Sequence, residues 1–127
     1  MIGSTRTLRV WAYPAPADLR KGFDGLQALV TATLQRDPLS GDCYLFCNRT
    51  RRRAKVLLWD GTGLCIYQKR LERGRFAALW GAAATAAAVE LTMSELALFL
   101  EGCALVARQP LSPRSVQPRA LGARRNN

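Results

Sequence analysis

The sequence predicts an α+β fold: a small antiparallel sheet in the form of a meander, one longer and one short helix, and a disordered basic tail. Three observations predict this architecture. Runs rich in β-forming residues lie on both sides of a basic loop and of an Asp-Gly turn in the middle of the chain. Apolar residues recur at helical spacing before this region, and a helix-capping pattern follows it.

The first predicted elements are a short strand and the longer helix. Alternating side-chain character over residues 8–13 is typical of a strand, which Pro14 and Pro16 would end. Asp18 is then a predicted N-cap for a helix that runs to about Gln35. The apolar stripe of this helix consists of Leu19, Phe23, Leu26, Val30 and Leu34.

Two glycines lie inside the predicted helix. Gly22 and Gly25 would each cost up to about 1 kcal/mol relative to alanine. They therefore predict that another backbone or a phosphate comes close to the helix, and close packing against a strand is the favoured explanation. Asp24 is one helical turn from Arg20 and is predicted to pair with it.

Residues 43–68 are predicted to form the antiparallel meander. The predicted strands are Cys43–Cys47, Lys55–Trp59 and Leu64–Gln68. Turn-forming residues at 37–42 precede the first of them, and Asp60–Gly63 carries the Asp-Gly signal of a hairpin. The following residues, 69–76, lead away from the sheet without a clear preference for helix or strand.

The last predicted element is the short helix. Residues 80–89 are mostly alanine, and this composition fits either a helix or a surface segment between elements. Thr92 and Glu95 then have the spacing of a capping box. Gly102 is the expected C-terminal stop of the helix that they begin.

Length and composition predict one domain and a tail. A chain of 127 residues is most simply a single domain, which we place at residues 1–107. Residues 108–127 contain three prolines and no apolar periodicity, so a disordered basic tail is expected. No segment approaches the roughly 20 apolar residues that cross a bilayer. The N-terminus also lacks the apolar region of a signal peptide, so a cytoplasmic protein without membrane contact is predicted.

The residue types present narrow the chemistry. The chain contains no histidine, which removes His-dependent triads and imidazole zinc sites. Its four cysteines lack a C-x-x-C pair and are expected to be buried, reduced thiols; they are Cys43, Cys47, Cys65 and Cys103. Most of the nine acidic residues already have predicted roles in caps, turns or pairs, which leaves no cluster for two-metal nuclease chemistry. We therefore predict no enzymatic activity, metal, cofactor or small-molecule substrate.

The charge of the chain indicates a polyanionic partner. The chain contains nineteen Lys and Arg residues and nine Asp and Glu residues, which gives a formal net charge of +10. The guanidinium group of arginine forms bidentate hydrogen bonds with phosphate oxygens, which favours nucleic acid as the partner. The candidate nucleic-acid-binding residues are Arg49, Arg51, Arg52, Arg53, Lys55, Lys69, Arg70, Arg73 and Arg75. The alternative is that these residues form solvated surfaces, because charge also protects sheet edges.

Four ordered motifs resemble one protein family. They are RKGFDGL at 20–26, DPLSG at 37–41, WDGTGL at 59–64 and KRLERGRF at 69–76. Together they are similar to the small accessory protein, called TnpB or ORF2-like, of the bacterial insertion-sequence family numbered sixty-six, which is distinct from the RNA-guided nuclease of the same name. The resemblance covers roughly residues 6–105. It implies a helper for transposition that works beside a separate, larger catalytic transposase and has no catalytic residues of its own.

Two functions remain open from the sequence. The first is a DNA-binding accessory subunit of a transposition complex, which relies on the basic residues. The second is an adaptor that binds the transposase or another element-encoded protein through exposed aromatic anchors. The candidate anchors are Trp11, Tyr13, Trp59 and Tyr67. We expect these aromatic residues to pack in the core or against the sheet in preference to forming an interface.

Overall fold

The computed structural model describes residues 8–81 and 88–102. The five strands are β1 (Val10–Ala12), β2 (Cys43–Cys47), β3 (Arg53–Trp59), β4 (Leu64–Arg70) and β5 (Val89–Leu91). The helices are α1 (Phe23–Leu29), which continues into a π-helical segment (Val30–Leu34), and α2 (Met93–Leu100). The predicted basic tail and Cys103 lie outside the described residues, as does most of the alanine-rich stretch.

The strands form one five-stranded sheet in the order β4-β3-β2-β1-β5. The predicted antiparallel meander is confirmed, since β3 pairs antiparallel with both β2 and β4. The first strand adds a parallel pair, because β1 lies beside β2 and the chain returns through α1. The sheet is therefore mixed and mostly antiparallel, and the α+β fold class is confirmed.

The sheet buries apolar side chains on both of its faces. Successive strand residues point to opposite faces, so β2 contributes to two separate clusters and is buried throughout. On one face, here called the α1 face, α1 and the π-helical segment cover Trp11, Tyr44, Phe46 and Leu57. On the other, the α2 face, α2 and the segment 76–79 cover Val10, Ala12, Cys43, Leu45, Cys47, Ala54, Val56 and Leu91.

The first helix begins later than predicted. Its N-cap is Gly22, and no side chain caps it. Asp18 instead accepts hydrogen bonds from the backbone amide and the guanidinium of Arg20, at 3.0 and 2.9 Å. The predicted N-cap role of Asp18 is therefore wrong, and so is the pairing of Arg20 with Asp24. Arg20 lies before the helix, where the spacing of a helical turn does not apply.

The two glycines near this helix do not face a strand. A Cβ atom at Gly22 would meet open space, whereas one at Gly25 would lie 2.6 Å from the Cβ of Lys21. Close packing against a strand is therefore not the reason for either glycine. The tight neighbour of Gly25 is the chain that enters the helix, and this contact excludes a larger side chain there.

The second helix forms as its sequence predicts. The backbone amide of Glu95 donates to the Thr92 hydroxyl at 3.0 Å, and the Thr92 amide donates to the Glu95 carboxylate at 2.8 Å. Gly102 follows with φ +83°, and its amide donates to the Phe99 carbonyl. The strand β5 just before this helix was not predicted, because it is a short edge strand that forms by pairing with β1, a distant part of the chain.

The cysteines fit their expected state only in part. Cys43 and Cys47 are buried, and burial raises the pKa of both thiols, that of Cys47 to about 12. Cys65 is exposed, so its predicted burial is wrong. It lies on the edge strand β4, where its Sγ is 3.5 Å from a carboxylate oxygen of Asp60. Among the described residues, no group of three or more Cys, Asp and Glu side chains could hold a metal ion.

The turn between β3 and β4 forms around Asp60, as predicted. One carboxylate oxygen accepts the backbone amides of Thr62 and Gly63, each at 2.9 Å. These two hydrogen bonds are the main reason that the pKa of Asp60 falls to about 2. Within residues 8–81 and 88–102, no helix has the length and apolar character needed to cross a membrane.

Candidate nucleic-acid interface

The basic loop connects β2 to β3 as a tight hairpin. The Asn48 amide donates to the Arg53 carbonyl at 3.1 Å, and the Arg51 amide donates to the Asn48 carbonyl at 3.0 Å. Arg51 adopts the left-handed conformation, with φ +61°. A turn followed by a left-handed residue is a common way to close a hairpin loop of this length. The loop therefore has a defined shape, and its arginines extend from a fixed base.

The side chain of Asn48 holds this loop in place. Its Oδ1 accepts the backbone amides of Arg52 and Arg53, each at 3.1 Å. These are the residues that lead into β3, so one side chain sets where the arginines leave the sheet. Asn48 is not among the predicted site residues, although asparagine before a run of turn residues is a recognised signal of such bonds.

Replacement of Asn48 with alanine is expected to loosen the loop. The change removes two hydrogen bonds, so the free energy of unfolding should fall by about 1–2 kcal/mol. Hydrogen exchange at the Arg52 and Arg53 amides should accelerate, and urea unfolding would give the stability change. The control is Asn48→Asp, which keeps the accepting oxygen and should keep both amides protected. Unchanged exchange in the alanine variant would mean that the loop holds its shape without Asn48.

A second basic segment, residues 69–75, packs against this loop. The Leu71 amide donates to the Arg52 carbonyl at 2.8 Å, and the Phe76 amide donates to the Arg51 carbonyl at 2.6 Å. Phe76 is fully buried and stacks on Phe99 of α2, with ring centroids 4.9 Å apart. The two basic segments, about 20 residues apart in the chain, therefore meet at one end of the sheet.

A cleft of about 880 Å³ opens at this end of the sheet, on the α1 face. It lies between the segment 17–20, the hairpin loop and the adjoining ends of β3 and β4. Its basic lining residues are Arg20, Arg49, Arg53, Lys55, Lys69 and Arg70. The acidic ones are Asp18 and Glu72, so positive charge is in excess. Arg20 is not among the predicted site residues, because only the fold brings it beside the hairpin.

The predicted site residues divide into two groups. Five of them line the cleft: Arg49, Arg53, Lys55, Lys69 and Arg70. The other four belong to the same two segments but do not line it: Arg51, Arg52, Arg73 and Arg75. All of the second group are exposed except Arg51, which is half-buried. The predicted set thus forms a basic end of the sheet, made of the cleft and the loops beside it.

Some of these cations already have partners. The Lys69 ammonium donates to the Leu100 carbonyl at 2.7 Å, where it stabilises the C-terminal end of α2. Lys55 donates to the Lys21 carbonyl at 3.3 Å, and Arg70 pairs with Glu72 at 3.1 Å. Among the described residues of the two basic segments, five guanidinium groups have neither a hydrogen bond nor an ion pair; they belong to Arg49, Arg51, Arg53, Arg73 and Arg75.

The candidate aromatic anchors are mostly part of the core. Trp11 is buried, donates to Asp42 and has the Arg36 guanidinium 3.3 Å from its ring centroid. Tyr13 packs on Phe46 with ring centroids 5.5 Å apart. Trp59 is half-buried. Tyr67 differs, because 53% of its surface is exposed on the edge strand β4.

A comparison with protein families identifies the chain. The model of the family described as "IS66 Orf2 like protein" matches residues 8–110, which include the whole described fold and its basic end. The chain belongs to this family. Membership associates it with transposition as an accessory protein of IS66 elements and separates it from the catalytic transposases.

Two curated proteins from Sinorhizobium fredii are similar to the chain. The protein y4hO is 35% identical over 102 residues, which cover 80% of this chain and 86% of y4hO. The protein y4jC is 41% identical over 76 residues, which cover 60% of this chain and 65% of y4jC. The match thus spans slightly less than two thirds of y4jC. Both relatives are described only as uncharacterized proteins, and no solved structure matches the chain.

Proposed function

We propose that this IS66 Orf2-like protein is a non-catalytic accessory protein of transposition that binds DNA through the basic end of its sheet. One observation carries the proposal: two basic segments, separated in sequence, are joined by backbone hydrogen bonds from Leu71 and Phe76 to the hairpin loop. Five guanidinium groups there lack an intramolecular partner within the described residues. Unpaired guanidinium groups on a rigid base suit phosphate contacts.

The acidic residues support a non-catalytic role. All nine lie within the described ranges, and seven of them have a hydrogen bond or an ion pair. The two others are Asp24 and Glu101, which lie on different helices or their ends. Asp60 accepts the backbone amides of Thr62 and Gly63 in its turn. Two-metal chemistry requires carboxylates that converge, and this arrangement offers none among the described residues.

The salt dependence of DNA binding tests the proposal. If about four phosphates are neutralised, the logarithm of the association constant should fall with the logarithm of salt concentration at a slope of about −3.6. Fluorescence anisotropy with a labelled duplex across a salt series measures this slope. A second duplex of unrelated sequence is expected to bind with similar affinity, since the basic end presents no recognition helix. A slope close to zero would contradict phosphate binding.

A second candidate function is a protein–protein adaptor for the separate transposase. The exposed ring of Tyr67 on the edge strand β4 favours it, because exposed tyrosine is typical of interface anchors. Co-purification with the transposase at high salt would support this function, since phosphate contacts are screened there and aromatic contacts are not. Loss of the interaction in Tyr67→Ser would assign it to β4.

A further inference from the structure

We propose that Arg53 and Arg70 form a binding site for one phosphate group of a DNA duplex, and that Glu72 competes with the phosphate for this site. The inference rests on the proposed DNA binding and goes further, because it names the atoms that receive the phosphate. It also assigns an acidic residue the role of an internal competitor. Both arginines and Glu72 line the cleft at the basic end of the sheet.

The register of the sheet brings the two arginines together. Arg53 and Arg70 are direct partners in the β3–β4 ladder, so their side chains leave the same face. Directly opposed residues have Cβ atoms about 4.5–5.5 Å apart, and like charges at such positions repel each other. A phosphate between the two guanidinium groups would replace this repulsion with two charge-assisted contacts. The two opposed cations therefore favour an anion bound between them.

The neighbouring pair on the same face extends the donor surface. Lys55 and Gln68 are also direct partners, two residues further along the ladder, and both line the cleft. The Lys55 ammonium is held 3.3 Å from the Lys21 carbonyl at the side where α1 begins. The ladder thus presents four hydrogen-bond-donating side chains in two adjacent rows.

Glu72 already occupies one side of this site. One of its carboxylate oxygens, Oε2, lies 3.1 Å from Nη2 and 3.2 Å from Nε of Arg70. The two side chains are 76% and 58% exposed, and ion pairs with such exposure contribute little to stability. A phosphate can therefore displace the carboxylate at small cost. Until it does, Glu72 shields Arg70 and lowers the affinity of the cleft.

The lining of the cleft favours duplex over single-stranded DNA. Proteins that bind single strands stack the bases on aromatic side chains in a basic groove. Among the described residues that line this cleft, none has an aromatic side chain. The cleft therefore lacks the stacking surface typical of single-strand binding, and a duplex presents its phosphate backbone on its outside without requiring one.

A double-mutant cycle on the full-length protein tests the site. Glu72→Gln is expected to tighten binding of a duplex by about two- to fivefold, because the competing ion pair is lost. The matched control is Asp24→Asn, which removes one exposed carboxylate outside the cleft and should change affinity less. In an Arg70→Ala background, Glu72→Gln should no longer tighten binding. Arg53→Ala and Arg70→Ala should each weaken binding, and the double variant should make the salt slope shallower by about 0.9, the contribution of one phosphate. Thermal unfolding of each variant checks that the fold is retained.

Each outcome has a distinct meaning. Equal gains from Glu72→Gln and Asp24→Asn, or a gain that persists without Arg70, would overturn the competitor role of Glu72. Salt-dependent DNA binding that Arg53→Ala and Arg70→Ala leave unchanged would overturn the phosphate site while the proposed function stands. Pyrophosphate serves as a second probe of the site. If the protein binds pyrophosphate through Arg53 and Arg70 but binds no duplex, the pair is an anion site and its assignment to DNA is overturned. Absence of both would refute the site and the proposed function together.

Discussion

Replacement of Phe76 with alanine is expected to lower the free energy of unfolding by about 3–5 kcal/mol. The Phe76 ring is fully buried on the α2 face and stacks on Phe99 at 4.9 Å. Its removal leaves a cavity between the sheet and α2 and deprives the second basic segment of its anchor. Urea unfolding monitored by circular dichroism measures the change, which should appear in the midpoint and not in the slope of the transition.

The chain offers a matched control for this prediction. Phe23 lies at the start of α1 with 47% of its surface exposed, so Phe23→Ala makes the same chemical change outside the core. It is expected to cost less than about 1 kcal/mol, in the range of surface substitutions. Similar losses in the two variants would mean that Phe76 does not hold the segment 69–75 against the core.

Replacement of Arg51, Arg52 and Arg53 together with alanine is expected to remove most of the affinity for DNA. If three of about four phosphate contacts are lost, the salt slope should flatten from about −3.6 to about −0.9. Relative to 1 M salt, the same loss corresponds at 0.1 M salt to a decrease in affinity of about 500-fold. Fluorescence anisotropy across a salt series measures both quantities in one experiment.

The control for the triple variant keeps the charge and changes the geometry. Lysine at the same three positions should preserve the salt slope, since counterion release depends on charge. It should still weaken binding somewhat, because an ammonium group cannot form the two parallel hydrogen bonds of a guanidinium group. A steep slope in the alanine variant would instead mean that cations outside the hairpin loop carry the binding.

Phe76 in the core and the arginines of the hairpin loop are structurally connected. Backbone hydrogen bonds link the segment that ends at Phe76 to the hairpin loop, and the Phe76 ring fixes that segment to the core. Burial of the Phe76 ring therefore anchors the second basic segment to the core at a distance from its charges. A change in the core at this position should affect both stability and DNA binding, whereas changes in the loop should affect binding far more.

The elements that sequence reasoning predicted correctly are those that local interactions determine. The capping box of Thr92 and Glu95 and the turn at Asp60 each form within a few residues of the chain. The meander follows in the same way from three β-forming runs with short connections. The hairpin that carries the basic loop was therefore predictable, and so was the position of most candidate site residues at its end.

The sequence by itself thus determined the α+β class, the meander, the start and end of α2 and the excess of positive charge. Only the tertiary structure decided that β1 lies parallel to β2, that Arg20 faces the cleft and that Cys65 is exposed. It also decided that Arg53 stands opposite Arg70. The physical reason is the range of the interactions: caps and turns form between near neighbours, whereas strand order and register depend on which distant surfaces bury each other.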